Sequence, residues 1–86
     1  MKMKRIHFRI TRADIHCGER GGLTTCPLAK ALQRTFAGSP VSVSGHEWRI
    51  GHDWHWLPGK LRNFVRNFDR AQPNVKPGWF YVEVPA

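Results

Sequence analysis

The chain has 86 residues, with 14 Lys and Arg against six Asp and Glu, for a formal net charge of +8. That length sets one domain over residues 1–86 with a thin core, since a chain this short buries only about 60% of its unfolded surface, and it leaves no room for a separate cofactor domain. With 41% apolar and 12% aromatic residues the chain is too hydrophobic for a disordered basic tail, and no apolar run approaches the roughly 20 residues of a membrane span.

The chain start is basic from Met1 to Arg5 and lacks an apolar leader core. From Lys4 to Thr11 it alternates, with Ile6, Phe8 and Ile10 on one face and Arg5, His7 and Arg9 on the other, the pattern of a half-buried strand. Residues Thr11 to Asp14 open a short helical turn, and Gly18, Gly21 and Gly22 make a loop. Pro27 then suits a first helical position, and Leu28, Ala31, Leu32, Thr35 and Phe36 form one buried face, with Lys30, Gln33 and Arg34 outside it. Gly38 is placed to end this helix in a left-handed conformation, and Pro40 stops it from continuing.

Val41 and Val43 predict a short strand, Trp48 and Ile50 a second, and Trp54 and Trp56 a third beyond a tight turn at Gly51–Asp53: a small meander. Another helix starts at Pro58, with Leu61, Phe64, Val65 and Phe68 as its apolar stripe and Arg62, Arg66 and Arg70 recurring every four residues opposite; Ala71 to Asn74 end it. After a turn at Pro77-Gly78, a final strand runs from Trp79 to Val84. The strand-helix-strand-strand-helix-strand order predicts an α+β sandwich of two helices on a mainly antiparallel sheet of about four strands. A ferredoxin-like arrangement is one topology of that kind.

Catalytic chemistry is poorly supported. Cys17, Cys26, His16, His46, His52 and His55 are residue types that zinc accepts. However, the cysteines stand nine apart, outside zinc-knuckle spacing, and a second Cys pair is missing, so no metal and no cofactor are expected. Cys26 sits where helix N–H groups favour a thiolate, although a capping or packing role explains it more simply. The six carboxylates are scattered, and Asp69 between Arg66 and Arg70 suggests local ion pairing. The glycine loop lacks the Gly-Lys-Ser/Thr ending of a phosphate loop.

Binding fits better. Arg62, Arg66 and Arg70 form a basic ridge, and Lys2, Lys4, Arg5 and Arg9 add charge on the first strand. Trp48, Trp54, Trp56 and Trp79 are many for so small a chain, and Arg49, His52 and His55 lie among them. Aromatics interleaved with basic groups stack bases, and Trp with Arg also dominates protein–protein hot spots. Against both readings stands plain core packing, which is expected for two of the four tryptophans, with at least one of Trp54, Trp56 and Trp79 exposed. The thin core and the tryptophans also admit a homodimer.

The segment from Thr25 to Leu32 (Thr-Cys-Pro-Leu-Ala-Lys-Ala-Leu) resembles a helix start of small proteins encoded by phages and prophages. Leu57-Pro58, the run from Phe64 to Asp69, and Val75-Lys76-Pro77 before the last strand resemble the rest of that pattern. The resemblance spans residues 6 to 84 and implies a phage origin; it transfers no activity and no functional residue, and the cytoplasm of the host cell is expected from the lack of an export signal. The leading expectation is a non-enzymatic binding protein that engages a host protein or nucleoprotein complex, for example as an anti-defence inhibitor. Its candidate binding residues are Arg49, Trp54, His55, Trp56, Arg62, Arg66, Arg70 and Trp79. Direct DNA or RNA binding is the alternative, and a small zinc protein the third reading.

Overall fold

A computed structural model describes residues 2–73 and 75–85. Its element order is β1 (Met3–Ile10), α1 (Arg12–Cys17), α2 (Pro27–Thr35), β2 (Val41–Val43), β3 (Glu47–Ile50), β4 (Asp53–Trp56), α3 (Gly59–Asp69) and β5 (Gly78–Pro85). The fold is α+β, with antiparallel pairing throughout. It differs from the expected sandwich in two ways. The turn after β1 is a helix of its own, and the strands form two sheets instead of one: a ribbon of β1 and β5, and a meander in the order β2-β3-β4. A ferredoxin-like sheet is thereby excluded, because β1 pairs with the last strand and with no strand of the meander.

Local chemistry explains the element ends. Thr11 and Asp14 form a reciprocal capping box at α1: the Asp14 N–H donates to Thr11 Oγ1 at 3.1 Å, and Asp14 Oδ2 accepts from the Thr11 N–H at 2.8 Å. Gly18 follows at a close approach, where a Cβ would stand 2.6 Å from Pro27 Cδ. Pro27 is the first residue of α2, as expected, and Cys26 is its cap. Gly38 does adopt a positive φ of 93°, but two residues past the cap at Phe36. At the end of α3 the Ala71 N–H donates to the Phe68 carbonyl at 3.0 Å and the Gln72 N–H to the Asn67 carbonyl at 2.9 Å. This is a Schellman motif, with Ala71 held at φ 55° in the position that usually takes glycine. Of the expected terminating stretch, Asn74 lies outside the described residues.

One core joins both sheets and the helices. It takes Phe8 and Ile10 from β1, Val82 from β5, Leu28, Ala31 and Leu32 from α2, Leu61, Phe64 and Val65 from α3, and Val41, Val43 and Trp48 from the meander. Trp48 is fully buried, stacked on Phe36 at 5.6 Å between ring centroids. Its Nε1 has no hydrogen-bond partner in the structure, so its hold on the core is packing alone.

Arg34, outside the apolar stripe of α2, turns out to be a structural clamp. Its guanidinium makes a bidentate pair with Asp14, at 2.9 Å for each bond, and donates to the Arg9 carbonyl at 2.9 Å. It thus ties α2 to α1 and to β1. Asp14 is the one buried charged residue among those described. The hydrogen bond from Arg34 outweighs the burial and holds the Asp14 carboxyl below its ordinary pKa of 3.8.

Two measurements check these assignments. Relieving the left-handed strain with Ala71→Gly is expected to stabilise the fold by up to about 1 kcal/mol, read by urea melts. Because folding lowers the Asp14 pKa, its contribution is complete above the ordinary carboxylate value and is lost as pH falls through the folded one. The melting temperature therefore drops on acidification below about pH 4. Asp14→Asn is expected to lower the melting temperature near neutrality and to flatten that acid limb.

Candidate functional site

The side chains that leave the core build the surface. In β4, adjacent residues point to opposite faces. His55 turns inward opposite Trp48, with ring centroids 5.2 Å apart, while Trp54 and Trp56 turn outward. Trp54 is 49% and Trp56 73% exposed. Arg49 sits opposite Trp54 in the register, with its guanidinium carbon 5.4 Å from the centroid of the Trp54 ring. This cation–π contact presents the indole flat against a charged group.

The ribbon repeats the arrangement. Antiparallel pairing sets Arg5 opposite Glu83, His7 opposite Tyr81 and Arg9 opposite Trp79. Arg5 lies 4.5 Å over the Tyr81 ring and 3.9 Å from the Glu83 carboxylate. Trp79 is 66% exposed. The expectation of two core tryptophans is thus corrected: only Trp48 is buried, and all three others are open to solvent. The inner faces of both sheets are already filled by Val, Phe, Ile and Trp48, so the remaining indoles fall on outer faces.

Two concavities adjoin these faces. A groove of about 460 Å³ runs between β4 and the ribbon, with Trp54 and Trp56 at one side and Met3, Tyr81 and Glu83 among its other lining residues. A cleft of about 610 Å³ is lined by Arg62, Arg66 and Arg70 of α3 together with the Gly45-His46 turn. Gly59, the first residue of α3, borders both. The arginine ridge is therefore solvent-exposed and at the same time lines one side of an open cleft.

Charge at the cleft is strongly one-sided. Asp69 is its sole carboxylate, and its Oδ1 accepts from the Gly21 N–H at 2.9 Å. Asp69 therefore pins the glycine loop to α3 and forms no ion pair with Arg66 or Arg70, contrary to the expected local pairing. Arg66 Nη2 donates to Asn63 Oδ1 at 2.8 Å. Among the described residues only Arg5 and Arg34 of the 14 Lys and Arg reach a carboxylate.

The cysteine and histidine candidates do not converge. Among the described residues no group of three or more His, Cys, Asp and Glu side chains is placed to hold one metal ion. Cys17 is exposed and Cys26 buried. The Cys26 Sγ accepts from the Ala29 N–H at 3.4 Å, as a cap does, yet burial outweighs these N–H groups and pushes the thiol pKa up from 9.0. The capping and packing reading of Cys26 fits the structure, and against the thiolate alternative desolvation wins over the helix terminus. His46 borders the arginine cleft, and His55 packs on Trp48.

Residue reading missed three participants: Tyr81, His46 and Gly59. The period of two in β5 does put Tyr81 beside Trp79 on one face, but only the pairing of β1 with β5 brings Arg5 and Arg9 to that face. No family model, curated protein or solved structure matches the chain. None of the described helices is long and apolar enough to cross a membrane.

The two thiols give a direct check. A soluble disulfide reagent is expected to modify Cys17 rapidly in the native protein and to reach Cys26 only after denaturant is added. Equal native rates for the two would contradict the burial of Cys26.

Proposed function

We propose that this is a non-catalytic binding protein whose ligand is nucleic acid, either free or within a host nucleoprotein complex. The observation that carries the reading is the adjacency of exposed indoles to arginines that have no carboxylate partner. Arginine attracts the phosphate backbone through long-range charge and then binds it by directed hydrogen bonds. Flat aromatic faces add stacking, which every base supports. The net charge of +8 favours a polyanion over a neutral protein surface. The resemblance to phage-encoded proteins sets the role inside an infected bacterial cell, as a factor that acts on host nucleic-acid machinery.

A protein partner is the competing reading. Trp54, Trp56 and Met3 around one groove have hot-spot composition, and a second copy of the chain covering them would make a homodimer. An acidic partner surface could also pair with the cleft arginines, but the +8 net charge together with stacking area favours a polyanion that carries bases. With Cys26 buried as a cap, the binding reading needs no nucleophile at this surface.

The test is a salt titration of binding to DNA and RNA oligonucleotides. Replacing Arg62, Arg66 and Arg70 together by Ala is expected to reduce the slope of log affinity against log salt by about 2 to 3. An unchanged slope would remove the ridge from the interface. A discrete host protein retained on tagged bait after nuclease treatment, with no affinity for either polymer, would overturn the reading in favour of a protein target.

A further inference from the structure

We infer that the bound form is an unpaired strand, threaded across Gly59 with its bases against Trp54 and Trp56 and its phosphates along Arg62, Arg66 and Arg70. The inference rests on the nucleic-acid reading and narrows it to one kind of polynucleotide.

Three observations carry it. The first is the continuity of the two concavities. The indole groove and the arginine cleft adjoin at Gly59, which borders both, so a chain leaving one meets the other there. The absence of a side chain leaves the junction open: a Cβ built at Gly59 meets only the Arg62 guanidinium, at 3.7 Å. The second is the division of chemistry along that path. The indole groove holds aromatic faces, which unpaired bases can cover and stacked base pairs cannot. The cleft holds guanidinium groups at every fourth helical position, about 6 Å apart along the axis, suited to successive phosphates.

The third is shape. A helix that reads duplex DNA projects into the major groove. Here the arginine face of α3, although solvent-exposed, lines a concavity that it shares with the Gly45-His46 turn. A flexible single strand bends into a concave surface more readily than a stiff duplex. Stacking on the indoles is tolerant of sequence, and in the cleft Asn63 Oδ1 is already taken by Arg66.

The experiment compares fluorescence anisotropy for labelled oligothymidylate and oligouridylate of about 20 nucleotides and for a duplex of the same length, all at low salt. Tryptophan emission is recorded in parallel. A single strand is expected to bind at least about tenfold more tightly than the duplex and to quench the exposed indoles. Preference between the deoxy and ribo strands identifies which polymer is the ligand, and either preference supports the inference.

Gly59→Glu is the decisive variant. It places bulk and negative charge at the junction, while an acidic residue in the first turn of a helix favours folding. It is expected to weaken single-strand binding about tenfold or more with no fall in melting temperature. Trp54→Ala, at an exposed position, gives an independent loss of about fivefold or more. Duplex binding as tight as single-strand binding would overturn the threaded strand and leave the broader nucleic-acid reading standing. So would wild-type affinity in Gly59→Glu. No affinity for any of the three polymers would overturn both.

Discussion

The ribbon and the meander are joined by side chains alone. No backbone ladder runs between the two sheets, so what makes them one body is the apolar cluster that α2 and α3 share with both. Close packing is therefore the constraint on which everything else depends. Trp48 is its largest fully buried member, and the Arg34 clamp is the main directional contact that supplements it, binding β1, α1 and α2 through one guanidinium.

Two small sheets around a shared core have more outer face than inner face to offer. Their inner positions are filled by aliphatic residues and a few rings, which leaves Trp54, Trp56 and Trp79 on the surface. The same geometry spreads the cations over those outer faces. Arg49 lies against Trp54 and Arg5 against Tyr81 on those faces, and Lys60 against the core-packed Phe80, each ring meeting a positive group. Rings held in this way are partly shielded from water yet still present area to a ligand. The surface chemistry is thus a product of the architecture, and the excess of positive charge is tolerated because so little of it is buried.

The elements were legible in the sequence wherever periodicity was strong. The alternation of Ile6, Phe8 and Ile10, the stripe of Leu61, Phe64 and Val65 and the Pro27 helix start all appear where their patterns put them. Long-range pairing was not legible. Nothing local in β1 says that its partner is β5 and not a meander strand, and a single sheet satisfies the same patterns. The candidate site divides along the same line. The arginine ridge and the outward Trp pair follow from spacing within one element. Their meeting at Gly59, and the presence of His46 in the cleft, depend on how separate elements dock. Asp69 misled for a related reason: its helical neighbours are cations, but its true partner is a backbone N–H in a loop far away along the chain.

The pairing of β1 with β5 also governs how the chain finds its fold. The β3–β4 hairpin closes through a loop of two residues, whereas Ile10 meets Gly78 across nearly the whole chain. Each doubling of loop length adds about 0.6 kcal/mol of closure entropy, so the ribbon begins roughly 3 kcal/mol behind the hairpin. The meander and its helices can thus assemble, with β1 tied to α2 through Arg34, while β1 still lacks a strand partner. High contact order of this kind makes folding slow for the size of the chain. During that delay β1 is an unpaired apolar edge, and its alternating Arg5 and Arg9 are the charges that oppose its pairing with another nascent copy.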